Sequence, residues 1–434
     1  DQRRLIANDP FTYTHMGESV PTIGWLAQVI FAGVYRLGSW SAVKILHVLM
    51  FSGAFFIVGI STMRCGNDRD ERISLFALAC ALLLGFLTGL TNSSLRPQSF
   101  AVLCFAVLLA VAQSEWRLHT KLVVLAPVLV FWQNCHPSVI LGLVALAGWG
   151  ASARFDSGKR WHAVSILMLV VAAQLATPTG WDLFAVSRTN AAISRDYLGV
   201  SEWLPAWSPV NLDALWIFWF GFALSITLLV KQHFKVRRSD LLQFLCMTGL
   251  ACYAARFALF WGIVMVPIWA RWIEAVRPPS LFAWNGKRVV ERPAKALLPI
   301  VGLLLVLVIP SFRTGSIFDK KLPLHGISRL KTALSSGHIY NYREWGGPLI
   351  WAGYPGWKVA MDGRLYLYSK EEWENYNRAA LGQTSLHELT DKHQPDAFFL
   401  RPSFHGGLIT LLKESSEWIE LYTDTTCSIY VKAL

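Results

Sequence analysis

Residues 341–369 read NYREWGGPLIWAGYPGWKVAMDGRLYLYS. Glycines and aromatic residues crowd this stretch, and Asp362-Gly363-Arg364 sets an acid and a base around one glycine. A helix over 344–352 followed by an apolar strand over Lys358–Asp362 marks a change of periodicity, and the same alternation runs on to the C-terminus. Further strands are predicted at His338–Asn341, Ala397–Leu400, Ile419–Tyr422 and Ser428–Lys432, and further helices at 325–336, 370–381, 385–393 and 405–416. Elements in this order make a small α/β domain over 313–434. Neither GxGxxG nor GxxxxGK[ST] occurs, so phosphate cradling by a glycine-rich loop is not indicated. Asp-Gly is also a turn signal, which gives Asp362 and Arg364 two readings: a pair that holds a turn, or groups that a strand end presents to a cavity. Trp345, Trp351, Tyr354 and Trp357 can stack on sugar faces, though such clusters more often serve as packed core.

Upstream of this domain the chain is different. Of 434 residues, 54% are hydrophobic and 16% charged, against about 25% charged in soluble proteins. Twenty tryptophans suit many membrane–water boundaries. Apolar runs lie at about 41–62, 73–90, 97–113, 121–134, 138–152, 162–177, 211–231, 241–256, 258–272 and 297–312. Residues 22–38 are amphipathic and suit an interfacial helix. If the loops at 62–72, 114–121, 153–161, 231–240 and 271–295 are cytoplasmic, they hold 18 Lys and Arg. The opposite side, apart from the C-terminal domain, then holds seven. That asymmetry orients the chain. The net charge of +12 is therefore topological, and nucleic acid is disfavoured as a partner. The seven cysteines are scattered without a CxxC pair, which argues against a disulfide framework or zinc site.

The expected fold class is thus a polytopic α-helical membrane protein with a C-terminal α/β domain on the outer face. About ten transmembrane helices are visible, and a helix preceding Asp1 would make eleven. Its segments are an outer N-terminal loop with an interfacial helix (1–40), a transmembrane domain (41–312) with a long outer loop at 178–210, and the α/β domain (313–434).

With the elements in order, the chain resembles polytopic bacterial membrane glycosyltransferases of the C-type architecture, in the glycosyltransferase 39-like group. The resemblance is carried by Asp9-Pro10-Phe11-Thr12-Tyr13-Thr14, Gly24-Trp25-Leu26-Ala27, Arg96-Pro97-Gln98-Ser99-Phe100, Trp132-Gln133-Asn134-Cys135-His136, Thr177-Pro178-Thr179-Gly180-Trp181, Ser201-Glu202-Trp203-Leu204-Pro205, Tyr342-Arg343-Glu344-Trp345-Gly346-Gly347 and Met361-Asp362-Gly363-Arg364. It implies a protein of the bacterial inner membrane that moves a sugar from a polyprenyl-phosphate donor to an acceptor on the outer face. Such enzymes usually carry an essential acid soon after the first helix, upstream of the Asp9-Pro10-Phe11 position. Ile23-Gly24 stands where relatives commonly have a His-Glu pair, and Pro137 and Thr177 where they often have Gly and Asn.

Glycosyl transfer with a phosphate leaving group needs a carboxylate for the acceptor hydroxyl and cations for the departing phosphate. Asp9 and Glu202 are the candidate catalytic acids. Asn-Asp-Pro is also an ordinary turn signal, and Glu202 is equally suited to capping a short helix. Arg96, His136 and Arg256 are candidates for the lipid phosphate, with snorkelling to head groups or a satisfied helix end as the alternative. Asp362 and Arg364 complete the binding candidates. No metal-ligand spacing is present and no cofactor is implied with certainty, although a pyrophosphate donor could recruit a divalent metal. The alternative function is a non-catalytic scaffold or accessory subunit with membrane-protein partners. A transporter is disfavoured because no inverted repeat is visible.

Overall fold

The computed structural model describes residues 5–65, 73–153, 157–277 and 321–433. By contacts the chain divides into two compact units. One combines Asp1–Thr22, Phe184–Leu198 and Ser316–Leu434; the other combines Ile23–Leu183 and Gly199–Gly315.

In the helical unit, the expectation of about ten spans is corrected by helix length. Among the described residues, three helices are long and apolar enough to cross a bilayer: Trp25–Arg64, Leu118–Cys135 and Ala255–Val276. The runs at 73–90, 97–113, 138–152, 162–177 and 211–231 give shorter apolar helices of 10–17 residues. A 16-residue helix such as Leu75–Leu90, Gln98–Gln113 or Trp216–Lys231 extends about 24 Å, short of a hydrocarbon core of ~30 Å. Local end signals set these lengths. The Ser74 hydroxyl accepts the Ala77 N–H at one helix start, and Pro97 immediately precedes another. The run at 241–256 becomes Arg238–Tyr253, a helix that buries Asp240, Gln243 and Thr248. The run at 297–312 lies outside the described residues. Apolar composition measures the wish to leave water, and a protein interior satisfies it as well as lipid does.

That interior is aromatic. Phe55, Phe86, Phe105, Trp132, Trp261 and Trp269 are fully buried in one cluster. Close approach of two helices is set where Gly85 and Gly262 face each other: a Cβ on either would lie 2.8 Å from the other's carbonyl oxygen. The long N-terminal helix breaks at Gly38–Ser39, where Ser39 takes a φ of 57°.

The α/β unit contains a five-stranded sheet of β1 (Gly337–Asn341), β2 (Trp357–Val359), β3 (Ala397–Leu400), β4 (Trp418–Thr423) and β5 (Ser428–Lys432), in the order β2-β1-β3-β5-β4. β1 runs parallel to β2 and β3; β5 runs antiparallel to β3 and β4. Four lie where the sequence predicts strands, while β2 shares only Lys358 and Val359 with the strand expected over Lys358–Asp362. Successive residues alternate faces, so Tyr340 and Phe398 pack in one cluster while Ile339 and Phe399 pack in the other. Helices Leu324–Ala333 and Gly346–Gly353 contribute to the second cluster; Lys370–Ala380 and Gly406–Glu414 contribute to the first, as does Ile193.

The N-terminal residues complete this sheet. Residues 7–20 form a small hairpin, with Asp9 N–H donating to Glu18 O at 2.8 Å and Val20 N–H to Ala7 O at 2.8 Å. Its Phe11–Tyr13 segment then runs parallel to β2, where Val359 N–H donates to Phe11 O and Tyr13 N–H donates to Val359 O.

Candidate functional site

Six of the eight quoted motifs meet in pairs. Trp25 Nε1 donates to Asn134 Oδ1 at 2.7 Å, joining the second motif to the fourth. The first motif meets the last within the α/β unit, and the Arg96 motif meets the Glu202 motif within the helical unit. The seven candidate residues accordingly fall into two groups.

In the α/β unit, the 341–369 stretch is knitted by Asn341. Its amide donates to Tyr342 O and Met361 O at 2.9 Å and accepts from Ala360 N–H at 3.0 Å. Gly346 starts a helix pressed against the end of this strand: a Cβ there would lie 2.3 Å from Met361 O. Asp362 N–H is taken by the Tyr368 hydroxyl at 2.8 Å. Arg364 then closes a fork on Asp362, with Nε to Oδ2 at 2.9 Å and Nη2 to Oδ2 at 2.6 Å, while Nη2 also reaches Asp9 Oδ1 at 2.8 Å. Burial opposes the Arg364 charge, but the two carboxylates outweigh it and raise its pKa. Asp9 has no exposed side-chain surface. Its carboxylate also accepts from Phe11 N–H at 3.1 Å, Thr12 N–H at 3.3 Å and the Thr12 hydroxyl. This acid is fully solvated by the protein and turned away from any acceptor. Here it fastens the hairpin to the strand end.

In the helical unit, Glu202 Oε2 accepts from Arg96 Nη1 at 2.6 Å, and Arg256 Nη1 lies 4.0 Å from Oε1. The Arg256 guanidinium sits 4.2 Å from the ring centroid of Trp203. Two cations face one carboxylate, and Arg96 remains 48% exposed. The 201–211 loop that carries Glu202 is firmly held. Asn211 Nδ2 donates to Ser201 O at 2.8 Å, Ala206 N–H donates to Cys252 O and Ala255 N–H donates to Leu204 O. His136 follows the Leu118–Cys135 helix, and its Nδ1 lies 2.8 Å from the Ser138 hydroxyl. Burial, then the charges of Arg256 and Arg96, push its pKa down to about 3. It is neutral at ordinary pH and adds no charge to the cluster.

A cavity of about 520 Å³ also opens in the α/β unit, with Tyr340, Tyr368 and Tyr376 among its lining residues. No motif or spacing foretells it, because these tyrosines come from separate elements. Tyr13 and Thr14, in the first motif, and Met361, in the last, are the lining residues that the quoted motifs contain. The four aromatics flagged in 341–369 divide: Trp345 and Trp357 are buried core, while Trp351 and Tyr354 are exposed. Among the described residues, no group of three or more His, Cys, Asp or Glu is placed to hold a metal ion. Comparison with protein-family models and with curated proteins finds no match for this sequence.

Proposed function

We propose that the protein is a membrane glycosyltransferase-like enzyme that transfers a sugar from a polyprenyl-phosphate carrier to an acceptor on the outer face of a bacterial inner membrane. The observation that carries this reading is the Glu202 carboxylate held between Arg96 and Arg256 beside Trp203. A carboxylate in a fork of arginines occupies the place of a phosphate, since the same donors serve both anions. In this mechanism the donor's phosphate displaces Glu202 from the guanidinium groups. The freed carboxylate takes the proton of the acceptor hydroxyl as its oxygen bonds to the anomeric carbon. The bond from that carbon to the phosphate oxygen breaks, and its electron pair leaves on the phosphate, which the two arginines neutralise. The three long apolar helices are in keeping with a lipid-borne donor.

The test is release of lipid phosphate from a set of polyprenyl-phosphate sugars by the purified protein. Glu202→Gln is expected to lower turnover by about 100-fold or more with donor binding retained. Arg256→Ala is expected to weaken donor binding by about tenfold or more. Turnover that is indifferent to both substitutions removes this site from the mechanism.

A second reading, a non-catalytic subunit of a larger membrane complex, is favoured by one observation. Asp9, the acid nearest the position the resemblance marks as essential, has its acceptor capacity filled by Arg364, Phe11 and Thr12. Absence of turnover together with stable co-purification of other membrane proteins would establish it.

A further inference from the structure

The cavity of the α/β unit is large, enclosed by one unit and chemically consistent around its wall. At about 520 Å³ it falls in the range of small-molecule sites, roughly 300–1,000 Å³. Its floor is aromatic and apolar, from Tyr340, Tyr368, Tyr376 and Met361, all nearly fully buried. Neutral polar groups also line the cavity: the Asn375 amide, whose Oδ1 accepts from Arg378, the Thr384 hydroxyl and the His393 imidazole. Burial, followed by the neighbouring Lys392 charge, pushes the His393 pKa down to about 4, so that ring is uncharged.

The charges at the opening balance. Glu371 and Glu388 are matched by Arg378 and Lys392, all four exposed. The remaining lining carboxylate, Glu372, is engaged by His15 at 2.8 Å and by the N–H of Ser369 at 2.7 Å. The four exposed charges cancel by number, and Arg378 Nη2 donates to Asn375 Oδ1 at 2.9 Å, so the rim carries no net charge that selects an anion or a cation. One buried lining group lacks a partner among the described residues. The Tyr13 hydroxyl is buried and makes no hydrogen bond among the described residues. A water or ligand hydroxyl in the cavity would satisfy such an atom.

We propose that this cavity is a binding site for a neutral saccharide, whose apolar face meets the tyrosine floor and whose hydroxyls meet Asn375, Glu388 and Tyr13. Sugars combine a flat C–H face with a ring of hydroxyls, and an aromatic floor below uncharged polar walls is complementary to both. The inference does not rest on the transferase reading, since it concerns free sugar and needs no lipid donor.

The experiment is calorimetric titration of the full chain in detergent with glucose, galactose, mannose and N-acetylglucosamine. Glucose 6-phosphate and choline serve as the anionic and cationic probes. Saturable binding of at least one neutral sugar is expected, in preference to its phosphate and to choline. Asn375→Ala and Glu388→Ala, both on the accessible wall, are each expected to weaken it by about fivefold. Tyr13→Phe separates a ligand contact from a merely structural tyrosine. It is expected to weaken sugar binding while leaving the sugar-free protein at least as heat-stable, because it deletes an unpaired buried hydroxyl. No saturation by any of the four sugars, tighter binding of either charged probe, or affinity unchanged in all three variants overturns the proposal.

Discussion

Arg364 is the residue on which the 7–20 hairpin hangs, because one side chain faces two buried carboxylates. Asp9 has no side-chain exposure and Asp362 only 6%. Arg364→Ala therefore strands two acids at once, which by analogy with other broken buried pairs costs about 3 kcal/mol. The loss is expected to be local. Hydrogen exchange should accelerate at the amides of Asp9, Tyr13 and Val20, which hold the hairpin together and to β2, while β3 amides keep their protection. Arg364→Lys is expected to rescue this only in part, since an ammonium cannot fork across Asp362 and still reach Asp9. Equal acceleration throughout the unit, or none in the hairpin, contradicts this role. The pairing of Asp9 with Arg364 was beyond reach of sequence reasoning for a simple reason. The partners lie 355 positions apart, and no local pattern distinguishes a carboxylate saturated by distant donors from one facing solvent.

The hairpin has a second fastening to an element, the Lys370–Ala380 helix. His15 places Nδ1 2.8 Å from Glu18 and Nε2 2.8 Å from Glu372, and Glu372 with Ser369 forms the capping box of that helix. Burial lowers the His15 pKa, but Glu18 and Glu372 overcome this and raise it above its ordinary value. Burial raises the Glu372 pKa, but the Ser369 backbone and side chain, with His15, lower it overall. The signs fix the pH window. The His15 contribution is complete below the ordinary histidine value and disappears as pH rises through the raised one. The Glu372 contribution is complete above the ordinary glutamate value and disappears as pH falls through the lowered one. The fastening is thus strongest from roughly pH 4.3 to 6.5. Protection of the hairpin amides is expected to fall above that window, and His15→Gln is expected to flatten the dependence. A wild-type profile that is already flat removes His15 from this role. The helix was legible as the predicted 370–381 element, as were four of the five strands, because periodicity is a local property. The short apolar helices were not. Leu75–Leu90 and Trp216–Lys231 have the composition of spans, and only their length of 16 residues sets them short of one.

At the scale of the molecule, the α/β unit is assembled from three separate parts of the chain. Its β2 edge is covered by Phe11–Tyr13, so a chain lacking residues 5–20 presents an unpaired strand edge, a ready template for another copy. That deletion is expected to self-associate in detergent by light scattering where the intact chain does not, and a monodisperse product would refute it. The two groups of candidate residues show the same dependence on long range. Motif order along the chain was readable, but which motif meets which was decided by folding, as Arg96 and Glu202 illustrate across 106 positions. The closing of the sheet also carries a consequence in time. Thr14 bonds to Ala360, 346 positions later. At roughly 5–20 residues per second, the ribosome needs on the order of half a minute between making the two. Throughout that interval the N-terminal segment has no strand to join. The seam between the hairpin and β2 therefore closes only after translation has passed Ala360, long after the hairpin itself has been made.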